Sequence, residues 1–144
     1  MDISAQERGT ASWSYFVSFA SLGLGLPIPF LSLAAGAVFH AVVHKQSPFV
    51  AFHSWRALLL GLPASLVVGV WSCWGLAVLF ELFLSAGHLE GDLTAFWWLG
   101  AAAAAFLTLE IVLGLKGAKD AQNGIAAGFG ALDALCARLS RFSA

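Results

Sequence analysis

Charge is scarce in this sequence: 10% of its 144 residues are charged, against 60% hydrophobic. A soluble domain carries about 25% charged and about 45–50% apolar residues. So few charges cannot coat a water-facing surface, which excludes an ordinary soluble globule and leaves much of the surface for lipid. Basic residues are few, and Arg8, Lys45, Arg56, Lys116, Lys119, Arg138 and Arg141 form no run. With a net charge of −1, no nucleic-acid partner is expected. The two cysteines, Cys73 and Cys136, lie far apart with no CxxC and no zinc spacing, and are expected to be inert thiols. The opening MDISAQERGT lacks a positive leader region, so no cleavable signal peptide is expected. Catalytic signatures are missing too. There is no Gly-rich phosphate loop, GxSxG, HExxH or Cys/His pair, and no serine or threonine with an evident base. The chain is expected not to be an enzyme and to need no cofactor.

What is present is three long stretches nearly free of charge. Crossing a hydrocarbon core of about 30 Å takes about 20 apolar residues. The stretch from Ala57 past Glu81 to Leu84 fits one crossing, and so does that from Leu93 past Glu110 to Leu115. The first stretch, Gly9 to His44, is too long for one crossing, and Gly23, Gly25, Pro27 and Pro29 interrupt it. Proline lacks the N–H and keeps its predecessor out of the helical region. The expectation is therefore a single all-α membrane domain over residues 1–144. It has four helices, at about residues 12–26, 29–44, 56–84 and 94–116, the first two short and joined as a proline-broken hairpin. The alternative is one kinked crossing preceded by an interfacial helix.

Loop charge sets an orientation. The segment Lys45–Arg56 and the tail after Leu115 carry the bases, whereas Ser85–Asp92 carries only acids. The positive-inside rule puts the first two in the cytoplasm, with the C-terminus. The N-terminus is inside with the hairpin and outside with the kinked crossing. Trp13, Tyr15, Trp55, Trp97 and Trp98 sit where an aromatic belt is expected, and Trp71 and Trp74 are expected to pack within the bundle. In the tail, Ile125, Phe129, Leu132, Leu135, Leu139 and Phe142 recur at helical spacing, with Asp133, Arg138 and Arg141 elsewhere on the wheel. That predicts an amphipathic helix over residues 125–142, weakened at its start by Gly124, Gly128 and Gly130, lying on the cytoplasmic face or on a partner.

Among polar residues, Glu110 stands out because an acid at that depth costs a few kcal/mol or more unless paired. It is expected to face the bundle interior and pair with Arg56 or His53, as an intramembrane polar cluster. That cluster serves either to fix packing or to support transport. His40 and His44 share one helix face and His53 lies nearby, which makes a metal or haem set the rival use for them. Small residues, Gly100–Ala105 and Ala34–Ala37, let helices approach closely.

The segment Ser47-Pro48-Phe49-Val50-Ala51-Phe52-His53-Ser54-Trp55-Arg56-Ala57-Leu58-Leu59-Leu60 resembles the signature of a family of small bacterial membrane proteins. That family is related to the twenty-kilodalton subunit of the chloroplast inner-envelope protein translocon. Pro48, Phe49, Phe52, His53 and Ala57 carry the match, and the order of hydrophobic segments from about residue 12 to 125 is similar. After Gly124 the chain departs, with an Ala- and Gly-rich stretch where the family has aromatics and a proline. The resemblance implies a four-helix membrane fold in a bacterial inner membrane and a role as a subunit of a larger assembly, linked to protein translocation. Read from the residues alone, Pro48 ends the preceding helix, Ser47 caps the turn, and Phe49, Phe52 and Trp55 anchor the segment at headgroup level. The leading expectation is a non-enzymatic accessory or scaffold subunit whose partners are the bilayer and other subunits or further copies of itself. The alternatives are a small oligomeric transporter or channel using Glu110, and a haem- or metal-binding redox subunit using His40, His44 and His53.

Overall fold

The structure, a computed structural model, describes residues 3–23, 30–84, 93–126 and 128–142. Within them the chain is all-helical: α1 Ala5–Gly23, α2 Leu31–Val43, α3 Pro48–Leu84, α4 Thr94–Gln122 and α5 Ala131–Phe142. The expected break at Pro27 and Pro29 and the acidic segment Ser85–Asp92 fall outside the described residues.

Local chemistry explains the helix ends. Ser4 and Glu7 form a capping box: the Glu7 N–H donates to Ser4 Oγ at 3.2 Å, and the Ser4 N–H donates to Glu7 Oε2 at 2.8 Å. This starts α1 at Ala5, well before the expected residue 12. At α3, Ser47 Oγ accepts from the Val50 N–H at 3.2 Å and Pro48 takes the first helical position, where its missing N–H costs nothing. The family-like motif is therefore the first three turns of α3, not a loop leading to a helix at residue 56. The last turn of α4 closes with the Gly124 N–H on Ala121 O and the Ile125 N–H on Asp120 O, with Gly124 at φ 72. That is the paired-bond helix ending that a left-handed glycine permits. Gly128 at φ 142 and Gly130 at φ 59 then keep the chain out of the helix, so the tail helix starts at Ala131 and not at residue 125.

Helix α3 packs against each of the other four, and α1 fills the space between α2, α3 and α4. The core is concentrated at one end, where Ala11, Tyr15, Val43, Val50, Ala57, Ala118 and Ala121 are buried together. Towards the other end the helices meet through small residues. A Cβ at Gly100 would stand 2.9 Å from Trp71 Nε1, so the Trp71 indole lies flat on that glycine, stacked on Phe96 with ring centroids 5.6 Å apart.

Helices α3 and α4 are each long and apolar enough to cross a membrane. Only 11% of the most apolar stretch of α3 and 17% of that of α4 is buried within the chain. Phe83, Leu84, Trp97 and Trp98 stand out from the surface. The core helix of a soluble protein would be largely buried instead.

Candidate functional site

The buried end of the bundle is organised around Arg56, which is wholly inaccessible. Its Nε donates to Tyr15 Oη at 2.7 Å, Nη1 donates to Asp133 Oδ1 at 3.3 Å, and Nη2 donates to Asp120 Oδ2 at 3.4 Å. One guanidinium thus ties α1, α4 and α5 to α3. The geometry suits arginine, whose planar fork offers donors in several fixed directions. The Phe129 ring lies under the guanidinium at 4.2 Å and under Lys116 Nζ at 4.5 Å. The buried Arg56 thus meets two half-buried carboxylates, the pairing under which a buried ion is tolerated, while Lys116 reaches Phe129 from the surface.

Each partner is itself held. Asp133 Oδ2 accepts from the Gly128 and Phe129 N–H groups at 2.8 and 2.7 Å, so the connector to α5 is folded around this carboxylate. Lys116 Nζ donates to Gly128 O at 3.0 Å. Tyr15, 2% exposed, lies on Gly117, where a Cβ would come within 2.5 Å of the ring. Tyr15 Oη also lies 2.9 Å from His53 Nδ1. Oη accepts from Arg56, and its own O–H donates to Nδ1 in the tautomer that carries the imidazole hydrogen on Nε2. The Ile125 main chain stands by that ring, yet Nε2 completes no hydrogen bond among the described residues.

Of the expected cluster of Glu110, Arg56 and His53, the structure brings together the last two. Glu110 does not join them. Asp120 is ten positions further along α4, about 15 Å, and it is Asp120 that reaches Arg56. Glu110 does face inward, at 7% exposure, but no donor or cation reaches its carboxyl among the described residues. The acids that complete the cluster, Asp120 and Asp133, and the Tyr15 hydroxyl were not expected from sequence. Tyr15 was expected in an interfacial belt and is instead the centre of the core. Asp133 was expected on the polar face of the tail and instead points into the bundle.

The remaining motif residues serve the same core. Phe49 and Phe52 turn their edges to the His53 ring at centroid distances of 4.5 and 5.3 Å, so they enclose it and do not project as headgroup anchors. Ala57 is buried, whereas Pro48 stays exposed at the helix start. His40 and His44 stack at 5.1 Å as their spacing implies. His40 Nδ1 bonds Ser54 Oγ at 2.8 Å, and His44 Nδ1 donates to His40 O at 3.0 Å. Among the described residues no three His, Cys, Asp or Glu side chains converge on a metal-sized point, so His40, His44 and His53 do not form one ligand set. Cys136, fully buried against this network, has its thiol pushed up to about 11 by burial and by Asp133. That thiol is unreactive near neutrality.

The arrangement fastens helices together. Arg56, Tyr15, Asp120 and Asp133 are joined by hydrogen bonds, and the Arg56 guanidinium is closed off from solvent. Comparison with models of known protein families, with characterised proteins and with solved structures finds no match to this chain.

Proposed function

We propose that the chain is an integral membrane protein of the non-enzymatic, accessory or scaffold type, a subunit of a larger membrane assembly. The observation that carries this is the exposed apolar surface of α3 and α4, which water cannot cover and which lipid or neighbouring subunits can. In this reading α1 to α4 lie in a bacterial inner membrane. The Arg56 network sits at the cytoplasmic side, where the bases Lys45, Lys116 and Lys119 gather, and α5 with the C-terminus is cytoplasmic. The resemblance of the Pro48–Ala57 motif to the translocon-related family supports a link to protein translocation.

Purification in a mild detergent from native membranes, followed by mass spectrometry of co-eluting proteins, tests the subunit role. Stoichiometric membrane partners are expected. A homo-oligomer eluting alone overturns it and favours the second reading, a small oligomeric transporter or channel. That reading draws on the unpartnered carboxyl of Glu110.

A further inference from the structure

Glu110 faces a cavity of about 140 Å³ between α3 and α4. Leu59, Leu60, Pro63, Phe106 and Leu132 also line it, and among the described residues Glu110 supplies its only ionisable side chain. One lining residue changes what the carboxyl can do. Pro63 lies inside α3 and has no N–H to give. In a regular helix that N–H would bond the carbonyl four residues back, which here is Leu59. The Leu59 carbonyl therefore loses its usual helical donor, in a turn that shares a wall with Glu110. An ionised carboxylate offers only acceptors, so it cannot satisfy a carbonyl, whereas a carboxylic acid carries one O–H donor.

We propose that Glu110 is a proton-binding site, held in the membrane-embedded chain as the neutral acid, whose O–H donates to the Leu59 carbonyl freed by Pro63. The ligand is a hydrogen ion, and the broken turn of α3 is its receptor on the protein side. Charged groups on the neighbouring elements do not compete for it. On α3, Arg56 and His53 are engaged with Tyr15, and Arg56 also with Asp120 and Asp133. On α1, Tyr15 lies lower, opposite Gly117. On α4, Lys116 is held at Gly128 and Phe129. On α5, Asp133 follows Leu132, which lines the cavity, and is bound by Arg56. A charge at Glu110 would thus stand in a mostly apolar cavity with no counter-ion, the condition under which a buried acid takes up a proton instead. The inference depends on the α3–α4 contact and not on the subunit role, so finding no co-purifying partner leaves it standing.

The test uses the full chain in lipid or mild detergent, with dicyclohexylcarbodiimide as an apolar probe. A carboxylic acid adds to a carbodiimide, its proton going to one nitrogen and its oxygen to the central carbon. The O-acylisourea so formed rearranges to a stable N-acylurea with nothing lost. A single adduct on the peptide containing Glu110 is expected at neutral pH. Its rate should fall about tenfold per pH unit once the medium is alkaline enough to remove the proton. Infrared spectra should show a protonated-carboxyl C=O band that is missing in Glu110→Gln. In Pro63→Ala, where the Leu59 carbonyl regains its helical donor, that band should move to the frequency of a more weakly bonded acid. Should Glu110→Gln fail to fold, the pH dependence of wild-type labelling decides. No adduct at Glu110, or identical carboxyl bands in wild type and Glu110→Gln, overturns the proton site. An unmoved band in Pro63→Ala overturns the Leu59 acceptor.

Discussion

Arg56→Ala is expected to destabilise the chain by about 3 kcal/mol, more than any other single change at the polar end. The variant leaves Asp120 and Asp133 facing each other with their common cation gone, and Tyr15 Oη without its donor. The penalty falls at the low end for a broken buried ion pair because the aspartates retain 17% and 16% exposure. Asp133 also keeps its two main-chain donors. Arg56→Lys should recover only part of the loss, since one ammonium cannot address three diverging oxygens. Thermal unfolding in detergent reads the effect, with detachment of α5 preceding global loss of helix. A double-mutant cycle with Asp133→Asn should show coupling of about 1 kcal/mol or more. An Arg56→Ala protein that melts like wild type would mean that the network is incidental to the fold.

Gly117→Ala is expected to cost about 1–3 kcal/mol, although alanine is the better helix former. The added methyl would lie 2.5 Å from Tyr15 Cε1 and 2.7 Å from Cζ. The ring cannot slide away, because its hydroxyl is fixed by Arg56 at 2.7 Å and faces His53 at 2.9 Å. Gly75→Ala provides the comparison. There a Cβ meets Phe96 at 3.6 Å, an ordinary contact, and helix propensity should make the change neutral or stabilising. Equal melting temperatures for the two variants would show that Tyr15 is free to move.

The parts of the fold legible in the sequence were those written as long apolar runs. The start of α4 at Thr94 coincides with the expected limit, since hydrophobic patterning alone decides it. Ends decided by polar residues were misplaced. The first helix was expected only from about residue 12, although the Ser4–Glu7 spacing is a start signal for a helix. Ser47-Pro48 read as a stop for the helix before it and proved to be the start of the one after it. Lys119 and Asp120 seemed to lie beyond the helix that ended near residue 116, yet both continue α4 to Gln122.

The candidate site was half legible. The three-residue spacing of His53 and Arg56 placed both on one face, and both reach Tyr15. The carboxylates that answer Arg56 come from segments distant in sequence, and no local pattern marks them. Choosing Glu110 as the partner followed depth in the membrane alone. The positions of Asp120 and Asp133 depend on how α4 ends at Gly124 and how the glycine connector turns α5 back onto α3.

The two cysteines allow a direct test of where the apolar surface lies. Cys73 is exposed on the lone chain, near the middle of the apolar stretch Ala57–Leu84 of α3, whereas Cys136 is buried in the polar end. Intact native membranes would be treated with a water-soluble maleimide near neutral pH, then again after denaturation in SDS. If α3 is embedded, hydrocarbon covers Cys73, and it stays unlabelled in the native membrane despite its exposure. Cys136 also stays unlabelled, through burial and a thiol held up at about 11, and both react after denaturation. Rapid labelling of Cys73 in the native state, with Cys136 still protected, would put water along the middle of α3 and contradict a membrane-embedded chain.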